Sequence, residues 1–257
     1  MSEEPQEKLA ESTLISHLIE LRSRLVKAMA AVFFAFIPCA WKSNQIFSLV
    51  ALPLERRLPK SAHLIATDVL APLMMPLKLS LYVAIFIAMP YVLYQLWAFV
   101  APGLYRHEKR FAVPLLISSI FLFYSGIGFA FFAVFPAVFQ FMIMATPVGV
   151  EMMVDITNYL GFVMKMFLGF GLAFEAPVVV VLLVVSGLVS IEKLKSNRGY
   201  VLIASFVAAA AITPPDPISM CLMAGAMYGL YEIGLLFGRI ALKARLEGQA
   251  SEASEPS

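Results

Sequence analysis

From Tyr159 to Val185 the chain carries only two charges, Lys165 and Glu175. A run of this kind exceeds the ~20 mainly apolar residues that a bilayer-crossing helix needs. It shows no alternation at period two, so it reads as a helix and not as a strand of a membrane barrel. Similar runs extend from Leu25 to Trp41, Leu77 to Ala101, Val113 to Phe139, Tyr200 to Ile212 and Ile218 to Phe237. Pro90, inside the second, predicts a kink. Composition agrees: the 257 residues are 61% hydrophobic and 14% charged, where a soluble domain carries about a quarter charged residues. The fold class expected is an all-α integral membrane protein with six transmembrane helices. Residues 1–24 form a cytoplasmic segment with an amphipathic helix, 25–240 the transmembrane domain, and 241–257, ending EGQASEASEPS, a disordered cytoplasmic tail.

Basic residues set the orientation. Lys8, Arg22, Arg24 and Lys27 precede or open the first run. Arg106, Lys109 and Arg110 follow the second, Lys193, Lys195 and Arg198 follow the fourth, and Arg239, Lys243 and Arg245 follow the sixth. On the other side lie Lys42, Arg56, Arg57, Lys60 and Lys78, all in the first long loop, which counts for less. Both termini are therefore expected in the cytoplasm. The start, MSEEPQEKLAES, is acidic and lacks the basic region of a cleaved signal, so the first run is expected to stay as an anchor. In that first loop, NQIFSLVALPLERRL reads as a partly amphipathic helix, either at the outer surface or packed as a loop helix. The fifth run covers roughly 20 Å as a helix against a hydrocarbon core of about 30 Å. The turn ITPPDPIS, polar and proline-rich, favours a locally thinned bilayer over a re-entrant hairpin.

Net charge is +2, too small to suggest nucleic acid. Signatures of metalloprotease, serine-hydrolase or phosphate-loop chemistry are absent, and His17, His63 and His107 are scattered outside the runs. No enzymatic activity, cofactor or metal is implied. Cys39 and Cys221 lack metal-ligand spacing; they read as unpaired packing residues, with a disulfide as the alternative if both reach an oxidising face.

Three stretches carry polar chemistry. Glu175 sits in apolar sequence two residues before Pro177, whose ring cannot donate to the carbonyl of Ala173. An intramembrane carboxylate is costly, and it either hydrogen-bonds inside the bundle as a protonated acid or faces a partner or substrate. Lys165 lies roughly 15 Å away along an ideal helix, too far to pair with it, and is expected to snorkel outward. In TLISHLIELRSRL, Leu14, Leu18, Leu21 and Leu25 recur at helical spacing, and Glu20 stands one turn before Arg24. That spacing by itself implies an i,i+4 ion pair. In WAFVAPGLYRHEKR, Glu108 is the lone acid among Arg106, Lys109 and Arg110. Brought together, Glu20 and Glu108 would offer two carboxylates to a ligand with two guanidiniums.

The strings HLIELRSRL, IATDVLAP, YQLWAFVAPGLYRHEKR, FEAPVVVVLL and ITPPD resemble the TatC family, the multi-spanning core of the twin-arginine protein translocase. The resemblance runs from about Leu14 to Arg239 in the family's order. It implies a cupped bundle of six helices with short fifth and sixth spans, in the bacterial inner membrane. It also implies a receptor for twin-arginine signal peptides of folded proteins, working in an oligomeric complex with single-span TatB-like and TatA-like partners and driven by the proton-motive force. The family's signal-binding acids fall on Glu20 and Glu108. Arg22, Phe99, Pro102, Leu104, Tyr105 and Arg110 match positions tied to signal recognition or receptor integrity. Pro53 and Asp68 match the first periplasmic loop and Asp216 the last, and Glu175 matches the buried acid of the fourth span. Where relatives often carry a glutamine in a polar patch for a partner helix, this chain has Met220, while Thr213 remains. Two other classes stay in view: a proton-coupled small-molecule transporter using Glu175, and a structural scaffold packing through GAMYG and GLLFG.

Overall fold

The computed structural model describes residues 4–55, 63–104, 112–147, 153–213 and 217–253, and side chains over 15–50, 65–100, 113–147, 153–213 and 217–243. The helices are α1 (Glu4–Trp41), α2 (Ser43–Glu55), α3 (Ala71–Leu104), α4 (Ala112–Phe129), α5 (Phe135–Ala145), α6 (Ile156–Ala173), α7 (Ala176–Val185), α8 (Ile191–Ser196), α9 (Arg198–Ile212) and α10 (Pro217–Ala253). Strands β1 (His63–Ile65) and β2 (Met153–Asp155) pair in parallel, with Leu64 opposite Val154. Five spans are long and apolar enough to cross a membrane: Ile15–Trp41, Ala71–Val100, Val113–Ala145, Ile156–Val185 and Pro217–Lys243. The fifth expected span, Tyr200–Ile212, falls on a shorter apolar helix, Arg198–Ile212, whereas the sixth, expected to be short as well, lies in the long span Pro217–Lys243.

Several boundaries differ from the sequence reading. The amphipathic segment and the first span are one uninterrupted helix, α1. Helix α3 continues through Pro90. Helix α10 runs to Ala253, so residues 241–253 are helical where composition predicts a disordered tail. Ala, Glu and Gln in that stretch are good helix formers and extend a helix already nucleated upstream. The loop segment predicted to be helical is α2.

The chain divides into two compact units: residues 1–46 with 76–116, and residues 47–75 with 117–257. In the first, Ala28 and Cys39 of α1 are buried, as are Leu79, Ala84, Met89, Leu93 and Trp97 of α3. Ser80, also buried, turns its hydroxyl onto the carbonyl of Pro76, which satisfies it within the helix. The second unit is built on α6 and α7. Phe123, Phe135, Leu160, Met166 and Phe170 are fully buried there.

Close backbone approach holds this second unit together. Lipid tails are as apolar as leucine, so helices in a membrane associate through packing at small residues. A methyl on Gly126 of α4 would lie 2.5 Å from the carbonyl oxygen of Phe170 in α6. One on Gly234 of α10 would lie 2.8 Å from Cα of Pro177 in α7. Of the two small-residue motifs, GLLFG therefore packs internally, whereas Gly225 and Gly229 of GAMYG face nothing within 4 Å.

Two interruptions have a proline behind them. Between α4 and α5 lies a π-helical turn, Ala130–Val134, in which the Phe135 N–H reaches the carbonyl of Ala130. Pro136 has no N–H for the carbonyl of Phe132, and the widened turn absorbs the missing bond. Between α6 and α7, Pro177 falls in the first turn of the new helix, where its absent donor costs nothing.

Candidate functional site

The chemistry singled out in the sequence lies in two places, one in each unit. In the first unit, α1 presents Glu20 and Arg24 one turn apart. Arg24 Nη2 and Nε donate to the same oxygen, Glu20 Oε1, at 2.6 and 2.9 Å. The i,i+4 pair read from the sequence is thus formed. Arg24 Nη1 also points at Gln95 Oε1 of α3, 3.5 Å away. Gln95 is buried, while the Arg24 and Glu20 side chains are 24% and 36% exposed. Nearby on the same two helices, the His17 ring stacks on Phe99, with centroids 4.3 Å apart and planes tilted 21°. Arg22 is exposed. Of the leucine stripe on α1, Leu18, Leu21 and Leu25 are all exposed, which suits a helix whose apolar face meets lipid.

Glu108, Tyr105 and Arg110 lie outside the described residues, as do the side chains of Pro102 and Leu104 at the end of α3. The pairing of Glu20 with Glu108 is therefore carried by the sequence alone. Sequence reasoning passed over Gln95 and His17. Gln95 had a signal, being a lone amide inside a span; His17 had none beyond its place three residues before Glu20.

In the second unit, Glu175 occupies the break between α6 and α7. Its N–H bonds to the carbonyl of Leu172, three residues back, and its carbonyl accepts from Val179. Its side chain does not cap α7. Instead Glu175 Oε2 accepts from Ser119 Oγ of α4 at 2.5 Å. Oε1 is buried and receives no hydrogen bond among the described residues. Ser119 itself is fully buried. A carboxyl with one satisfied and one orphaned oxygen retains capacity for a further donor. Lys165, in α6, is exposed and makes no ion pair with Glu175. Away from Glu175, an apolar cavity of about 390 Å³ opens beside the π-helical turn, against Leu49, Val50 and Phe167.

The loop residues are locally explained. Asp68 is exposed; its Oδ1 accepts from the N–H of Leu70, and its carbonyl accepts from Ala71, turning the chain into α3. Pro53 lies in α2, its side chain outside the described set, and Asp216 is also outside it. A residue not anticipated, Asp155, ties two loops together. Its Oδ1 caps α6 through the N–H groups of Thr157 and Asn158, both at 2.9 Å. Its Oδ2 accepts from the Thr67 hydroxyl at 2.5 Å and the Thr67 N–H at 3.2 Å. The Thr67 hydroxyl, with these backbone donors, holds the Asp155 carboxyl below the usual carboxylate range. The sequence signal was the Asp-Ile-Thr-Asn start of an apolar run, an N-cap pattern.

At the end of α9, Thr213 is buried and its hydroxyl donates to the carbonyl of Ala209 at 2.9 Å. Met220 is half-buried. Helix α9 buries only Ser205 and Ala209, leaving Tyr200, Ile203 and Val207 exposed along one face. Cys39 and Cys221 are free thiols. Among the described residues no group of three or more His, Cys, Asp or Glu side chains is arranged to hold a metal.

The family model for the Sec-independent protein translocase protein (TatC) matches residues 16–225. The chain belongs to the TatC family. It is a multi-pass helical membrane protein of that family, similar to the TatC of Azotobacter chroococcum, with 47% identity over 95% of both chains. It is 48% identical to the TatC of Escherichia coli K12 over 88% of both chains. Among solved structures it resembles a crystal structure of the twin-arginine translocase receptor TatC, with TM-score 0.76 and 37% identity. That match covers 88% of this chain and 99% of the other.

Proposed function

We propose that the chain is the receptor and core subunit of a twin-arginine translocase, binding the signal peptides of folded proteins at Glu20 and Glu108. The observation carrying this reading is that the Glu20 carboxylate, half-exposed at one end of a span, is already engaged by a guanidinium. A cradle that suits Arg24 has the charge and shape to suit a signal arginine. Family membership supports the rest, together with the printed description of the solved relative as a receptor.

On this reading Phe99, Pro102, Leu104, Tyr105, Arg22 and Arg110 surround the arginine site. The hydrophobic part of the signal then engages Glu175, whose buried Oε1 receives no hydrogen bond among the described residues. Single-span TatB-like and TatA-like partners dock along α9 near Thr213 and Met220, on its exposed apolar face. Pro53, Asp68 and Asp216 belong to periplasmic loops, both termini are cytoplasmic, and the complex is oligomeric in the bacterial inner membrane. Transport draws on the proton-motive force and involves no covalent chemistry.

The test is binding of a twin-arginine peptide to the full chain in lipid nanodiscs. Glu108→Ala weakens binding by about 1.5–3 kcal/mol, the scale of a charge-assisted hydrogen bond. Added salt weakens the wild type more than the variant. Equal affinities for wild type and variant would refute the assignment.

A further inference from the structure

We propose that the apolar cavity beside the π-helical turn is a binding site for one phospholipid acyl chain. The proposal does not depend on how signal arginines are recognised.

The cavity belongs wholly to the second unit. One wall is a single row on α4 and its π-helical continuation, Tyr124, Ile127, Gly128, Phe131 and Phe132, spaced as neighbours on one helix face. Leu49 and Val50 of α2 form a second wall and Phe167 of α6 a third. The row is about 12 Å long on an ideal helix, which makes the cavity a slot running along α4. It straddles the middle of the span Val113–Ala145, at the depth of hydrocarbon. Leu49 and Phe132 are largely exposed, so the slot opens outward, while Phe167 is buried. The Phe131 ring stands between them, perpendicular to Phe132 with centroids 5.0 Å apart and 6.4 Å from the Phe167 ring.

Gly128 leaves the slot open. A methyl built there meets nothing within 4 Å, whereas one on Gly126, two residues earlier, runs into the Phe170 backbone. Gly126 serves close packing between helices; Gly128 leaves volume unfilled.

The chemistry of the lining selects the occupant. Tyr124 carries the only polar side-chain atom among the lining residues. Surfaces of this kind stay dry yet take up hydrocarbon. Left empty, the slot would forfeit dispersion contacts along its whole lining. Its volume of about 390 Å³ is roughly two and a half times that of a cavity that accommodates benzene, room for on the order of a dozen methylenes. A partner helix fits less well. Membrane helices associate through small residues and interhelical hydrogen bonds. Here one glycine lies between tyrosine and phenylalanine rings, which hold off a body about 10–12 Å thick. An acyl chain is thin and flexible, and the bilayer supplies it all around the span. Once seated, it joins α2 to α4 and α6 through contacts that the side chains alone leave unmade.

The experiment uses the full chain in phosphatidylcholine nanodiscs doped with a phosphatidylcholine that bears a diazirine midway along one acyl chain. Adducts formed on irradiation are mapped by mass spectrometry. In the wild type, adducts on the slot residues should exceed those on Tyr200, Ile203 and Val207, exposed on α9, by about tenfold. Gly128→Leu fills the slot from α4 and Val50→Trp fills it from α2. Each should reduce the slot adducts at least about fivefold and leave the α9 adducts unchanged, with melting temperatures verifying the fold. Phosphatidylglycerol carrying the same chain should label the slot equally, because no charged side chain lines it. Equal labelling of the slot and α9, or slot adducts indifferent to both filling variants, reduces the cavity to ordinary bilayer contact and overturns the proposal. A strong preference between the two headgroups overturns it as well, since recognition would then lie outside the slot. A crosslink from Gly128→Cys to a co-reconstituted single-span subunit would assign the slot to a helix instead. The wild-type map decides between site and bulk lipid even if neither filling variant folds.

Discussion

Ser119 Oγ donates to Glu175 Oε2 at 2.5 Å, joining α4 to the break between α6 and α7. The bond places a polar contact inside a unit otherwise packed from aromatic and aliphatic side chains. Because Glu175 Oε1 receives nothing among the described residues, Ser119 satisfies only part of the carboxyl. Ser119→Ala should therefore destabilise the chain by about 1–3 kcal/mol, the cost of orphaning a buried acceptor. Thermal unfolding in detergent measures it, and an unchanged melting temperature would show that the carboxyl finds another donor.

The same carboxyl should separate binding from transport. Glu175→Gln keeps a donor and an acceptor and should retain most export activity. Glu175→Ala should impair export while leaving affinity for a twin-arginine peptide near wild type. Peptide binding and cargo export measured on one set of membranes distinguish the outcomes. Normal export by Glu175→Ala would reduce the acid to a packing residue; loss of peptide binding would move it into the recognition site.

Asp155 makes stability depend on pH in a defined direction. Its folded carboxyl titrates below its unfolded counterpart. The stabilisation is therefore complete above the unfolded carboxylate range, near pH ~4, and is lost as pH falls through the folded value. Asp155→Asn keeps a capping oxygen but not the charge. The gap in melting temperature between wild type and Asp155→Asn should be largest near neutrality and close in acid. A gap that widens in acid would contradict the clamp.

Gly126 and Gly229 form a matched pair of tests. Gly126→Ala drives a methyl into the Phe170 carbonyl and should cost about 1–3 kcal/mol through overpacking. Gly229→Ala meets open space, and by helix propensity it should be neutral or stabilise by up to about 1 kcal/mol. Denaturant unfolding in mild detergent ranks the two. Equal effects would mean that α4 and α6 are not in contact as described.

The exposed face of α9 yields a docking prediction. Cysteines placed at Tyr200, Ile203 and Val207 should crosslink to a single-span partner, and cysteines at buried Ser205 and Ala209 should not. Crosslinks distributed equally around the helix would indicate lipid contact alone. Thr213 contributes less than its chemistry suggests, because its hydroxyl is turned onto its own helix.

Much of the architecture was legible because hydropathy reports directly on solvent. The six apolar runs reappear as five long spans and the shorter α9, since backbone groups in hydrocarbon have helices as their simplest solution; only the sixth, expected to be short, proved long. The Glu20–Arg24 pair was equally legible, because i,i+4 neighbours are fixed by helical geometry alone. Where a helix ends is a weaker signal. The low hydropathy of the last residues suggested disorder, but propagation from a formed helix carried α10 to Ala253.

Contacts between distant segments were decided only by the tertiary structure. Ser119 and Glu175 are 56 positions apart, Thr67 and Asp155 are 88 apart, and Arg24 and Gln95 are 71 apart. In each case the sequence showed a polar residue in or beside apolar text, and so that it required a partner, but not which partner. Periodicity along a chain encodes which face of a helix is apolar; it does not encode the rotation and depth at which two helices meet. Those follow from side-chain volumes at the crossings, such as Gly126 beneath Phe170 and Gly234 beneath Pro177, where the absence of one methyl lets two backbones approach and sets which polar groups come within reach.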